Sequence, residues 1–486
     1  VSQAPRRTVI VLAAGEGKRM KSATPKVLHP LLGRSLLGHV LAASAAAGTG
    51  QTIVVVGHQA EQVEAHLAAV APAVTSVLQA EQNGTGHAVR IALEAVPDVT
   101  GTVVVLSGDV PLLRAETVAG LIEAHESGGR GATVLAAEVG DPAGLGRIVR
   151  DSAGNLERIV EERDASAEVR AIREINAGIY AFDVVSLREA LSKLSTDNEQ
   201  GEEYLTDVFG ILASVGHPVG VFVAPDADET LGCNDRAELA RLRALLRDRV
   251  NEAWMRSGVS ILDPATTWID VTVTLEPDAE IDQNSQLIGE TSVAAGAIVG
   301  PDSTLIDTTV GAGAVVLRTH SIGAVIGAEA TVGPFSFLRP GTRLGRKAKV
   351  GGFVETKNAE LGDGAKVPHL SYVGDATIGA KANIGAGTIF ANYDGVAKNH
   401  TTVGEAAFVG SDTVLIAPVE IEPGAYVAAG SAIAKTVPAG SLGVTRAPQR
   451  NVEGWVGRRR AGTVSAEAAE RALADKDAGG EISTAE

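Results

Sequence analysis

Apolar and polar positions change their spacing twice along the chain. Over roughly the first 230 residues, short β-branched runs alternate with helical stretches. Thr8–Leu12, Thr52–Val56, Thr102–Leu106 and Ala132–Leu135 are nearly continuous apolar runs bounded by Gly, Asp or Pro. Between them, Leu36–Ala47, His87–Ala95 and Ala115–His125 carry helical patterns. Such strands, separated by helices, predict an α/β domain with a mostly parallel, Rossmann-like sheet over residues 1–234. Ligands of these sheets lie beyond the carboxyl ends of the strands, so chemistry is expected in the loops after Leu12 and Leu106.

Residues 235–259 read differently. Leu239, Leu242, Leu246, Val250 and Trp254 form one stripe of a helix otherwise crowded with Arg and Glu. This predicts a connecting strut whose stripe packs against one of its neighbours. Beyond it the period becomes six. Leu275, Ile281, Leu287, Val293, Val299 and Leu305 open the series. It returns as Val332, Leu338, Leu344 and Val350, then as Leu361, Val367 and Val373. Val403, Val409, Leu415, Ile421, Val427 and Ile433 close it. A hexapeptide repeat is one face of a triangular parallel coil, with the aliphatic residue inside and small residues at the corners. A left-handed β-helix is expected over 260–460. Residues 461–486, rich in Ala, Glu, Ser and Gly without an apolar period, read as a disordered tail.

Composition narrows the function. The balance of 42 basic against 59 acidic residues, −17 overall, disfavours nonspecific nucleic-acid binding; an anionic substrate needs cations gathered locally. Aromatics at 3% suit thin, repetitive packing. A single cysteine, Cys233, rules out an intramolecular disulfide and reads as a small buried residue rather than a nucleophile. The N-terminus shows no secretory pattern, and no run approaches the roughly 20 apolar residues of a membrane span. A cytoplasmic protein without membrane insertion is expected.

Leu12-Ala13-Ala14-Gly15-Glu-Gly-Lys-Arg19-Met20 follows the first strand, with Pro25-Lys26 close behind. Small residues let backbone N–H groups face a phosphate, and Arg19 and Lys26 add fixed cations. A glycine-rich turn alone suits a structural tight turn equally well, and the Gly-Lys-Ser/Thr ending of a Walker loop is missing. Gln79, with an amide donor and acceptor matching a uracil edge, heads a segment containing Gly84 and Thr85. Ser107-Gly108-Asp109 ends a Val-rich strand, where a carboxylate either holds a hard cation against phosphate or caps a turn. The fuller pattern from Leu12 to Lys26 resembles the nucleotide loop of sugar-phosphate nucleotidyltransferases. That resemblance implies that Gly146, Glu161 and Asn176 contact the amino-sugar, and that Asn234 shares a Mg²⁺ ion with Asp109.

In the repeat region the chemistry lies where the period breaks. Val350 to Leu361 spans 11 residues instead of 12 and contains Glu355-Thr-Lys357-Asn358. Phe390 to Val403 spans 13 instead of 12 and contains Asn392-Tyr393-Asp-Gly. Tolerated loop insertions would look the same, but polar residues at coil irregularities are often functional. Pro368-His369-Leu-Ser-Tyr372 lies beside them, and histidine is the natural base for an amine that loses a proton on acylation.

With Phe337-Leu-Arg339-Pro-Gly and Lys366-Val-Pro-His369, nearly the whole chain resembles the family of bifunctional UDP-N-acetylglucosamine pyrophosphorylases/glucosamine-1-phosphate N-acetyltransferases. The resemblance implies acetyl transfer from acetyl-CoA to glucosamine 1-phosphate. Uridylyl transfer from UTP to N-acetylglucosamine 1-phosphate follows, releasing pyrophosphate, in cell-wall precursor synthesis. It further implies His369 as base, with Arg339, Lys357, Tyr372 and Asn383 on the sugar phosphate. Ala386, Asn392, Tyr393, Ser411, Ala429 and Arg446 would contact acetyl-CoA, in a homotrimer. Ser107 departs from the Tyr of many members. Two other readings compete: a nucleotidyltransferase whose β-helix is only a trimerising scaffold, and a binding protein with dead sites.

Overall fold

The computed structural model describes residues 6–480. The β-branched runs form the middle of a sheet ordered Val219–Val223, Ala132–Glu138, Glu174–Asp183, Thr102–Ser107, Arg7–Ala13, Gln51–Val56, Thr75–Leu78. Pairing along this path is parallel except around Glu174–Asp183, which runs antiparallel to both neighbours. Val9, Ile10, Val11 and Val103 to Leu106 are fully buried because helices Leu36–Ala46, Thr85–Ala95 and Ala115–Ser127 leave neither face of the central strands to solvent. Leu12 stands in register with Ser107, so the two loops expected to carry chemistry leave the sheet side by side. A hairpin, Gly146–Arg150 with Leu156–Val160, joins the end of Glu174–Asp183.

Helix Arg236–Arg256 starts at Asp235, whose side chain accepts from the Ala237 and Glu238 amides. Its stripe packs against both neighbours, correcting the expectation of one. Leu239, Leu242 and Leu246 join Met20, Leu31, Leu36, Leu112 and Cys233, whereas Val250 and Trp254 lie on the core of the coil region. At 21 residues, about 31 Å, the helix is long enough to serve both. Asn251, fully buried, donates to the carbonyls of Pro264 and Thr267 and fixes the entry to the coils.

From Ser260 onward, strands mostly of two to four residues pair in parallel with the strand one coil later, as in Glu280 with Ile298 and Ile298 with Val315. An 11-stranded sheet forms one face and a 17-stranded sheet the other two. The chain is a hexapeptide-repeat β-helix, and the six-residue series points inward throughout: Ile281, Leu287, Val299, Leu305, Val409, Leu415 and Ile421 are fully buried.

The two irregularities differ in kind. At the first, a single seven-residue strand, Glu355–Leu361, runs across two faces with Thr356 and Leu361 both inside, which removes one corner residue. At the second, Phe390 and Val403 sit on successive strands, one face apart rather than two. The excess is therefore a loop of seven residues rather than one, and Asn383 finds its partner 25 positions later, at Phe408. The tail expectation also needs correction. Val464–Gly480 is a helix, because Ala, Glu and Leu favour helix even without a core-facing stripe; residues 481–486 lie outside the described residues. No helix among the described residues is long and apolar enough to cross a membrane.

Candidate active sites

Ten of the residues marked from sequence line one cleft of about 270 Å³ at the carboxyl ends of the central strands: Leu12, Ala13, Ala14, Gly15, Lys26, Gln79, Gly84, Thr85, Ser107 and Asp109. Lys26 Nζ lies 2.5 Å from Asp109 Oδ2, so the cation and carboxylate already face each other. Gly17 makes this possible. Its φ of +63° is left-handed, and a Cβ there would stand 2.7 Å from Lys26 Cβ. Gln79 is buried, and its amide nitrogen donates to the Gly84 carbonyl and to His87 Nδ1, which fixes its orientation. Gly108 donates to the Leu12 carbonyl, stitching the two strand ends together.

A second space of about 230 Å³ lies between Glu16–Arg19, Lys26 and Asn234. The Cys233 amide donates to the Asp109 carbonyl at 3.0 Å, bringing the loop of Asn234 against the Asp109 loop. Cys233 itself is fully buried, and burial pushes its thiol up to about 11. Arg19 also borders a third space, of about 540 Å³, with Gly144, Glu161 and Gln200. At Glu161, Gly146 and Asn176 converge: a Cβ on Gly146 would sit 3.4 Å from both Glu161 Oε2 and Asn176 Cβ. Burial raises the Glu161 pKa against the hydrogen bond from Thr206, helped by the charges of Asp164 and Asp207.

Segment 198–206 escaped the sequence reading. Glu203 pairs with Arg90, its carbonyl takes the Gly86 amide and its amide meets the Asn83 carbonyl. Glu202 lines the first cleft, and Thr206 holds Glu161. Gln82, also missed, closes over the turn by donating to the Ala14 carbonyl. The signal was weak, since Asn-Glu-Gln-Gly-Glu-Glu has neither period nor motif spacing.

On the β-helix, Glu355 pairs in register with Tyr372, and Lys357 with Gly374. The Arg339 amide meets the Thr356 carbonyl, which sets Arg339 beside Lys357, and its guanidinium pairs with Glu355 at 2.8 Å. Gly374 is required here, because a Cβ would lie 2.4 Å from the Tyr372 hydroxyl and 2.7 Å from Asn392 Nδ2. Asn392 and Asn358 donate to Asp375. Burial works to raise the Asp375 pKa, but these two bonds and the cations Lys398 and Lys357 outweigh it, and the carboxyl ends below its usual range. Lys398 was missed in the sequence. It arrives on the inserted loop, and its proximity lowers the Lys357 pKa.

Four of the acetyl-CoA candidates, Ala386, Ser411, Ala429 and Arg446, form a column, whereas Asn392 lies against Tyr372 and Asp375. Asp412 donates to the Ala386 carbonyl, Gly430 to that of Ser411, and Arg446 to that of Ala429. Lys366 pairs with Asn383, Asn383 with Phe408, and Phe408 with Tyr426. Three residues further along each strand, His369, Ala386, Ser411 and Ala429 share one corner. His369 is exposed at the foot of this column. Tyr393 is exposed on the loop, and Asn383 stands on another face from Tyr372 and Lys357.

A parallel sheet with nucleotide-loop chemistry, joined by a strut to a hexapeptide β-helix with its own polar site, defines a nucleotidyltransferase fused to a second transferase module. The profile of the MobA-like NTP transferase domain matches residues 9–257. Bifunctional protein GlmU of Streptomyces avermitilis is 59% identical over 464 residues, covering 95% of this chain and 96% of the relative. Those of Streptomyces coelicolor and Corynebacterium glutamicum are 56% and 51% identical, each over 96% of this chain and 98% and 96% of the relative. The chain belongs to the bifunctional GlmU family. It is an enzyme with uridylyltransferase and acetyltransferase activities.

Proposed function

We propose that the N-terminal cleft binds UTP and joins it to N-acetylglucosamine 1-phosphate, and that the β-helix column binds acetyl-CoA and acetylates glucosamine 1-phosphate beforehand. The observation that carries the reading is the gathering of Leu12–Gly15, Lys26, Gln79, Gly84, Thr85, Ser107 and Asp109 around one cleft. In uridylyl transfer a phosphate oxygen of the sugar attacks the α-phosphorus of UTP, and pyrophosphate leaves. Arg19 and Lys26 neutralise the growing charge and align the reactants, Gln79 reads the base, and Gly146, Glu161 and Asn176 seat the sugar.

A divalent cation fits the donor set. Among the described residues no cluster of three or more His, Cys, Asp or Glu could hold a metal alone. Asp109 and Asn234 offer two hard oxygens on loops held together by the Cys233 amide. That suits Mg²⁺, which Asp109 and Asn234 would hold and which would withdraw charge from the phosphates.

In acetyl transfer the sugar amine attacks the thioester carbonyl. His369 removes its proton, and coenzyme A leaves as the thiolate. Arg339, Lys357 and Lys398 supply the cations for the sugar phosphate, with Tyr372 and Asn383 beside it. The separation of Asn383 from Lys357 and Tyr372 on different faces supports a site shared between copies in a homotrimer. So do the exposed stacked pairs Phe335–Phe353 and Phe408–Tyr426. We place the enzyme in the cytoplasm, in synthesis of a cell-wall precursor. Thiol release from acetyl-CoA with glucosamine 1-phosphate, and pyrophosphate release from UTP with N-acetylglucosamine 1-phosphate, should both occur in one preparation. Folded protein that lacked the first activity would leave the β-helix a scaffold.

A further inference from the structure

Arg147 is only 1% exposed and is among the largest fully buried side chains in the molecule. A buried guanidinium is not there for net stability, because its desolvation cancels most of what an ion pair returns. Its contacts explain its place. Nη1 donates to the Leu145 carbonyl and Nη2 to that of Arg170 at 3.4 Å. Nη2 also lies 2.8 Å from Glu162 Oε2, an ion contact off the line of a hydrogen bond, and Nε has no partner. One planar group thus ties the entry to Gly146 to the turn that follows Glu161 and to the short helix Ala167–Arg170.

We infer that Arg147 is a positioning residue for uridylyl transfer, which fixes the spacing of Gly146 and Glu161 around the sugar of N-acetylglucosamine 1-phosphate. This rests on the sugar-site reading given above. Gly146 and Glu161, each next in sequence to a group that Arg147 holds, stand close, with Glu161 Oε2 3.4 Å from where a Gly146 Cβ would be, so a small shift of either segment closes or opens the pocket. Lysine cannot replace the fork, because one ammonium on a flexible stem cannot hold two carbonyls and a carboxylate in fixed directions.

The test is steady-state kinetics on the full chain. In Arg147→Lys, KM for N-acetylglucosamine 1-phosphate should rise about tenfold or more, as misplacements of an ångström do. KM for UTP and the rate of acetyl transfer should stay near native. Glu162→Gln, which alters the partly exposed partner of Arg147, should move the same KM in the same direction by a smaller factor. A sugar-phosphate KM unchanged in folded Arg147→Lys overturns the inference, as does an equal loss for both substrates. Should that variant fail to fold, an unchanged KM in Glu162→Gln overturns it alone. Asn176→Ala separates the two levels of the claim. If it raises the sugar-phosphate KM while the Arg147 variant does not, only the positioning role falls. If it too leaves KM unchanged, the sugar-site reading falls, and the positioning role with it.

Discussion

The two halves of this enzyme build their sites by opposite means. In the α/β domain, residues far apart in sequence meet because parallel strands end together: Lys26, Gln79 and Asp109 come from three different loops. In the β-helix, His369, Ala386, Ser411 and Ala429 meet because each coil places the same position at the same corner. The first site is enclosed by loops and partly dehydrated; the second lies on an exposed edge. A sheet can thus bury its polar groups and shift their protonation. A coil, whose interior is one aliphatic residue wide, must carry its chemistry outside.

If the halves are independent, single changes should silence one activity and spare the other. His369→Ala should lower acetyl transfer by about 10²–10⁴, the range for a lost general base, with pyrophosphate release unchanged. Asp109→Ala should do the reverse. Either variant losing both activities while folded, as judged by circular dichroism, would break the comparison.

What could be read beforehand follows the same division. The six-residue period named the inner residues of the coil, since each coil reports its own core through Val, Leu or Ile at a fixed spacing. The second irregularity was misjudged, because the sequence does not say how many faces a 13-residue gap crosses; only the pairing of Asn383 with Phe408 does. In the α/β domain the cleft-lining turn from Leu12 to Gly15 was legible from local spacing. Segment 198–206 was not, for its role rests on contacts to Arg90 and Gly86, more than a hundred positions earlier. The strut showed its stripe but not that the stripe serves two cores, because apolar spacing records burial and not the identity of the partner.

Stability should divide in the same way. Leu415 is fully buried in the coil interior, and Leu415→Ala should cost about 2–5 kcal/mol, as large-to-small core changes do. A solenoid feels such damage locally through its neighbouring coils. Heating should therefore abolish acetyl transfer at a lower temperature, with uridylyl transfer lost at the native temperature. A smaller effect is expected where the strut meets the first coils. Asn251→Ala leaves the Pro264 and Thr267 carbonyls without their donor, a loss of about 1–3 kcal/mol. Calorimetry should show the β-helix transition shifted down, and uridylyl kinetics at 25 °C should not change. A matching loss of uridylyl rate would mean that the strut couples the sites rather than merely joining them.

The smallest effect, and the one that tests the contrast between enclosed and exposed chemistry, is the pH dependence of stability. Burial raises the Glu161 carboxyl above its ordinary value, so the folded state binds the proton more tightly than the unfolded chain. Its cost is absent below the unfolded pKa, grows as pH rises toward the folded value, and stays constant above it. Ligand-free Glu161→Gln should accordingly melt higher than the native enzyme above that window and alike below it. Asp375 has the opposite sign. Burial opposes its ionisation, but Asn358, Asn392 and the two lysines hold its pKa below the ordinary value, so its stabilisation is present above the unfolded pKa and is lost as pH falls through the folded one. Asp375→Asn should therefore lower the melting temperature at neutral pH and lose that disadvantage in acid. Melting curves of the three proteins between acid and neutral pH decide it. Parallel slopes for the two variants would show that the enclosed site and the exposed one treat a carboxylate alike.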